Sequence, residues 1–357
     1  MQSRAKSHSN SEQCRFHWCV SSDIHANIFC SDVFNKGALR RYDNGASDHH
    51  DSLHYHADFS MLQSRRQFIQ KTGTVALMAT TGLDARVASA KDDKSPYTIG
   101  LSQYSLRALI RDKSLDPLDY PAFALENFGI NHIDLWEGGL NGKQGDLKYL
   151  EQLRVRSEKV GTEIFLLMTG ALDANPSKQE QSLKTILPSI ERAQVLGAEF
   201  LRVFLKAPGK DAAAGVAPCV EALKPLADAA EKKGVMIAIE PGASELSSKG
   251  AFLSNVMRKL KHENCRLMPD FGKQKNNVYD GTEAMMPYTV TISATMHSFD
   301  EDGNQPHFDY ERLMKIIAAA NYRGIISIEW EGNKLQPIEG VKASKKLLET
   351  SIAALSQ

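Results

Sequence analysis

Neither sign of charge is in excess in this chain: 43 lysines and arginines face 43 aspartates and glutamates, for a formal net charge of zero. A nucleic-acid-binding surface normally carries a basic surplus, so no nucleic-acid partner is expected. Cysteine is scarce, with five scattered among 357 residues and no CxxC pair, which excludes a disulfide framework. Long apolar runs are missing as well. None reaches the roughly 18 residues that a membrane-spanning helix needs, so no span is expected in the mature protein. What is present is ordinary globular composition, 42% hydrophobic, enough for a substantial core.

Residues 1–60 differ from the rest. They hold seven of the eleven histidines and three of the five cysteines (Cys14, Cys19 and Cys30), with little periodicity. Three readings stand: a metal-binding tail built on His49, His50, His54 and His56, a disordered extension, or upstream sequence translated from a start codon placed too early. Met61 then opens a targeting signal of its own across residues 61–90. Ser64-Arg65-Arg66-Gln67-Phe68 resembles the twin-arginine export motif, a modest apolar stretch follows from Gly73 to Leu83, and Ala88-Ser89-Ala90 supplies a small-x-small cleavage pattern. Export to the periplasm is the expectation.

From residue 95 onward, short apolar or β-branched runs alternate with longer amphipathic stretches, the pattern of parallel strands with helical crossovers. Eight strands are predicted at 97–104, 130–136, 162–168, 200–205, 235–240, 265–270, 290–297 and 324–329. Helices are expected at 183–196, 217–233 and 310–320, among others. Glycines 129, 161, 197, 234 and 324 stand where helices should stop before the next strand. Eight such units in about 260 residues predict a (β/α)8 TIM barrel over 95–357. A doubly wound sheet is the alternative, but no glycine-rich phosphate loop follows the first strand.

Barrel enzymes place their chemistry at the C-terminal ends of the strands. Those ends carry Glu240, Asp270, His297 and Glu329, each after an apolar strand. Three carboxylates and an imidazole suit one divalent ion: Mn²⁺, Mg²⁺, Co²⁺ or Zn²⁺. Tyr104, Glu137, Lys206 and Trp330 close other strands and are candidate substrate contacts. Trp136 could likewise offer a sugar its apolar face. Glu331, alternating with Glu329, is expected to face outward toward a helix, and His132 begins its strand at the opposite end.

Pro269-Asp270-Phe271-Gly272, Ser298-Phe299-Asp300-Glu301-Asp302-Gly303-Asn304 and Ile328-Glu329-Trp330-Glu331-Gly332 resemble the xylose-isomerase-like sugar phosphate isomerases/epimerases. The likeness runs through the barrel, from about Tyr97 to Leu355. It implies a metal held by Glu240, Asp270, a strand-seven residue and Glu329, with the two glutamates as acid and base around an enediolate. Relatives are often oligomeric, so a homo-oligomer is possible. Departures are visible too. Pro241-Gly242-Ala243 stands where many relatives have Asn-His-Gly, and Lys273 where Asn is common. The best register puts Ser293 and Thr295 where relatives carry a metal-binding His and a Lys. His297 is then a substitute ligand, a substrate contact or a surface residue. The expected activity is metal-dependent isomerisation or epimerisation of a small carbohydrate, with export disfavouring phosphorylated substrates. The alternatives are a lyase or hydrolase acting on keto-glycosides, and a sugar-binding barrel without catalysis.

Overall fold

Runs rich in isoleucine, leucine, valine and phenylalanine form eight strands: β1 (Tyr97–Ser102), β2 (His132–Trp136), β3 (Glu163–Asp173), β4 (Phe200–Lys206), β5 (Met236–Glu240), β6 (Cys265–Leu267), β7 (Ile292–Met296) and β8 (Gly324–Trp330). This computed structural model describes residues 95–275 and 277–356. The histidine-rich segment and the twin-arginine segment lie outside the described residues. Every strand pair is parallel, in the order β6-β5-β4-β3-β2-β1-β8-β7. Parallel bridges Leu267–Thr289 and Asp270–Ser293 join the two outer strands and close the sheet into a barrel.

The helices run in chain order: α1 (Arg107–Arg111), α2 (Tyr120–Phe128), α3 (Leu147–Val160), α4 (Gln179–Leu196), α5 (Ala212–Glu231), α6 (Gly250–Leu260), α7 (Val278–Met285), α8 (Tyr310–Ala319) and α9 (Pro337–Ala353). Among the described residues, no helix is long and apolar enough to cross a membrane. Gly129, Gly161 and Gly197 end α2, α3 and α4 at φ values of 65°, 79° and 74°, a left-handed turn that a side chain would strain. Gly324 differs from expectation. It is the first residue of β8, and the left-handed turn after α8 falls on Asn321 at φ 54°.

Of the strand boundaries, those of β3 and β6 differ most from expectation. β3 runs on to Asp173 through an irregularity between Met168 and Ala171. β6 stops at Leu267, short of Asp270: Met268 still donates to the Ile239 carbonyl, but Pro269 has no N–H to continue the ladder. Asp270 is instead held across the barrel, where the Ser293 N–H donates to the Pro269 carbonyl at 2.9 Å.

Strand alternation sorts side chains between helices and barrel interior. Leu201, Val203, Ile237, Ile239, Ile326 and Ile328 join the main core with the helices. The opposite faces meet in a separate cluster around Phe165, Met168, Phe200, Ala238 and Met268, with Met236, Val290 and Ile325 against it. The interior is therefore graded. Phe200 and Met236 begin their strands and Ile325 is second in its own; two residues on come Arg202, Ala238 and Ser327, and two further on Phe204, Glu240 and Glu329. The apolar floor excludes water, and the polar groups collect toward the C-terminal rim.

Candidate active site

Glu240, Asp270 and Glu329 converge at that rim. Each places a carboxylate oxygen within 4.8 Å of the others, and all three side chains are buried. Strand register explains the meeting: Thr295 pairs with Glu329, and Ser293 with Asp270. The Ser293 hydroxyl donates to Glu329 Oε2 at 2.9 Å, and the Thr295 hydroxyl lies 2.8 Å from Asp270 Oδ2 and 3.1 Å from Glu329 Oε2. Asp270 Oδ1 accepts the backbone N–H groups of Gly272 and Lys273, which fix its rotamer.

Burial pushes Glu240 well above the ordinary carboxylate range; Arg202 opposes that shift, while Asp270 and Glu329 add to it. Burial likewise raises Glu329 to about 8, with the neighbouring Asp270 adding to the effect. Arg202, on the same inward face of β4, brings its Nε to 2.8 Å from Glu240 Oε2. The N–H does not point along that contact, so among the described residues neither atom has a hydrogen-bond partner. Charge attraction holds the pair.

A second layer stands over the acids. The Lys273 stem runs beside Gly242, where an added Cβ would lie 3.2 Å from that of Lys273, and its ammonium reaches Glu331 Oε1 at 2.6 Å. Burial alone would depress the Lys273 pKa; Asp270 and Glu331 outweigh it and hold the ammonium above the usual lysine range. Glu331 is thus turned toward Lys273 and His297 rather than outward to a helix: it lies two residues beyond Glu329 on the same inward face, and its N–H still donates to the Met296 carbonyl at 2.9 Å. His297 sits in this upper layer, its Nδ1 3.9 Å from Glu331, and its pKa is lowered by burial. No imidazole joins the three-acid group among the described residues.

The other candidates distribute unevenly. Tyr104 packs edge-on against Trp136, centroids 5.0 Å apart, on the inner cluster. Lys206 is half-exposed at the rim, its Nζ 3.4 Å from Asp173. Glu137, past the end of β2, turns away to α4: it accepts from Ser189 and Arg192 there, and from Thr169. Trp330 belongs to the main core, stacked on Phe299 at 5.4 Å and only 1% exposed. Glu137 and Trp330 are therefore not brought to the acids. Arg202 was missed in the sequence, although a charge between Phe200 and Phe204 on an inward face was a usable signal.

A divalent ion fits the donors present. Three buried carboxylates form an oxygen set suited to a hard cation, and Glu240 Oε2 lacks a hydrogen-bond partner. Glu240, Asp270 and Glu329 would hold it, with hydroxyls rather than imidazole on the β7 side.

Comparisons agree with this architecture. Residues 123–351 match the family described as Xylose isomerase-like TIM barrel. The structure of 3-keto-D-glucoside 4-epimerase from E. coli superposes with a TM-score of 0.56 at 14% identity, covering 71% of this chain and 99% of that one. D-psicose 3-epimerase from Clostridium cellulolyticum H10 gives 0.53 at 12% identity, covering 72% and 97%. At such identities the likeness speaks for the fold. The C-glycoside deglycosidase alpha subunit of Arthrobacter globiformis is 32% identical over 74 residues. That stretch is 19% of this chain and 21% of the subunit's length.

Proposed function

The chain belongs to the xylose isomerase-like TIM-barrel family, and from that premise we propose that it isomerises or epimerises a sugar or keto-sugar by moving a proton beside a carbonyl. One observation carries the reading: three buried carboxylates from different strand ends meet within 4.8 Å inside the barrel. A divalent ion held there supplies Lewis acidity toward the substrate's carbonyl and hydroxyl oxygens.

The chain's own residues account for proton handling and orientation. Glu240 and Glu329 are the acid–base pair, since they stand on separate strands around the same space and burial raises both carboxyls above the ordinary carboxylate range. Ser293 and Thr295 orient Glu329 and Asp270. The Tyr104–Trp136 pair offers an apolar face for a sugar ring, and Lys206 a cation at the rim. His297 and Lys273 lie where a ligand entering toward the acids would meet them.

The likeness to a deglycosidase subunit favours a second reading. The same proton abstraction on an oxidised glycoside would lead to β-elimination and cleavage. Metal content and solvent-deuterium uptake test the proposal together. The purified chain should carry about one divalent ion and exchange the proton beside a keto-sugar's carbonyl, and a Glu240→Gln/Glu329→Gln variant should do neither. Release of aglycone from a keto-glycoside would select the cleavage reading. Sugar binding with neither metal nor exchange would identify a barrel that binds carbohydrate without turnover. Twin-arginine export stands as a separate proposal: replacing Arg65 and Arg66 by lysine should retain the chain in the cytoplasm.

A further inference from the structure

We infer that Arg202 competes with the divalent cation for Glu240, and so limits how tightly this site binds metal. The inference rests on the metal reading above but concerns a residue outside the acid group. Arg202 and Glu240 are both nearly sealed from water, 8% and 3% exposed in their side chains, and water cannot screen what happens between them. Arg202 Nη1 donates to the Thr169 carbonyl at 2.7 Å, and the guanidinium lies 4.2 Å from the Phe204 ring centroid. Those two contacts hold the cation in place from β3 and from its own strand.

The charge they hold faces one of the two oxygens of a carboxylate in the acid group. Arg202 Nε is 2.8 Å from Glu240 Oε2, yet both atoms lack a hydrogen-bond partner. Carboxylate–metal distances are about 2.0–2.2 Å for ions such as Zn²⁺ or Mg²⁺. An ion on Glu240 Oε2 would thus stand within about 5 Å of Arg202 Nε, with no water between the two positive charges. Without metal, Arg202 neutralises Glu240; with metal, it repels the ion from that carboxylate. The two cations offset the same buried negative charge, so each weakens the hold of the other.

The test is Mn²⁺ affinity, measured by calorimetry on the full chain and on Arg202→Gln, which keeps a donor for the Thr169 carbonyl but removes the charge. Competition predicts that the variant binds Mn²⁺ at least tenfold more tightly than the parent and gains more thermal stability from saturating Mn²⁺. Equal or weaker binding in the variant, with the parent still binding, would overturn the inference and leave the metal reading intact. Binding by neither chain would overturn both. Should Arg202→Gln not fold, the parent alone decides by NMR, using diamagnetic Mg²⁺ and the Arg202 Nε–H resonance. Displacement by Mg²⁺ would shift that resonance and speed its hydrogen exchange, whereas an unmoved resonance in the metal-bound chain would refute competition.

Discussion

Two sets of buried acid share the interior of this barrel, and they are accommodated in different ways. Asp134, on β2, takes its hydrogen bonds from neutral donors, the Ser327 hydroxyl at 3.0 Å, the Gln103 N–H at 3.2 Å and the Ser102 side chain, with the Arg202 charge a lesser influence. Burial nevertheless raises it to about 7. Glu240, Asp270 and Glu329 are instead crowded against one another, with Arg202 and Lys273 nearby. A single acid enclosed by dipoles can be satisfied by donors and a proton, which is a structural solution. Three acids in contact repel one another and leave Glu240 Oε2 without a hydrogen bond, which is an unstable arrangement unless a cation or protons complete it. The first set needs nothing further; the second is built to receive something.

The strongest way to sharpen that contrast is through pH. The folded-state pKa of Asp134 lies above its unfolded value of 3.8, so between about 4 and 7 the native chain keeps a proton that the unfolded chain has lost. Stability from this group is therefore lost as pH rises through that window. Asp134→Asn does not titrate. Its stability relative to the parent should climb with pH by at most about 1.4 kcal/mol per unit, read from urea unfolding at pH 4.5, 6 and 8. A flat difference would show that Asp134 is ionised in the folded chain and resembles the cluster after all.

Next in size, Asp270→Asn should lower divalent-ion affinity by about 100-fold or more, while Asp134→Asn leaves it within about twofold. Equal losses in the two variants, measured by metal titration, would break the distinction between the two sets. The smallest effect is expected outside the barrel interior. Glu137→Gln weakens an ion pair to Arg192 at 2.7 Å and should cost about 1 kcal/mol of stability, with metal affinity unchanged. A large loss of affinity would return Glu137 to the site from which its contacts with α4 now separate it.

The architecture was legible because it depends on local periodicity. Alternation of apolar strands with amphipathic helices, stopped by Gly129, Gly161, Gly197 and Gly234, specified eight βα units, and parallel crossovers of one hand leave few ways to assemble them. The acids Glu240 and Glu329 were legible for a related reason: each is the residue on which an inward face reaches the rim. Asp270 meets them although its strand ends earlier, since the bridge to Ser293 does what the ladder does not.

Orientation at the strand ends was misjudged in two different ways. Glu137 lies past β2, where alternation gives no guide, whereas Trp330 and Glu331 keep the two faces of β8, Trp330 following Ile326 and Ile328 and Glu331 following Glu329. Glu137 turned out toward α4, Trp330 into the helix-facing core, and Glu331 in over the acids. Strand alternation is a property of sequence spacing, so it needs no knowledge of what lies across the barrel. Partner choice in the loops depends on which groups other strands deliver there. The sequence alone thus determined the family architecture, the apolar floor and the identity of the acids. Only the tertiary structure decided that Arg202 faces Glu240, that Lys273 spans to Glu331 and that hydroxyls stand on the β7 side, because each of these pairs joins residues from different strands or strand-end loops.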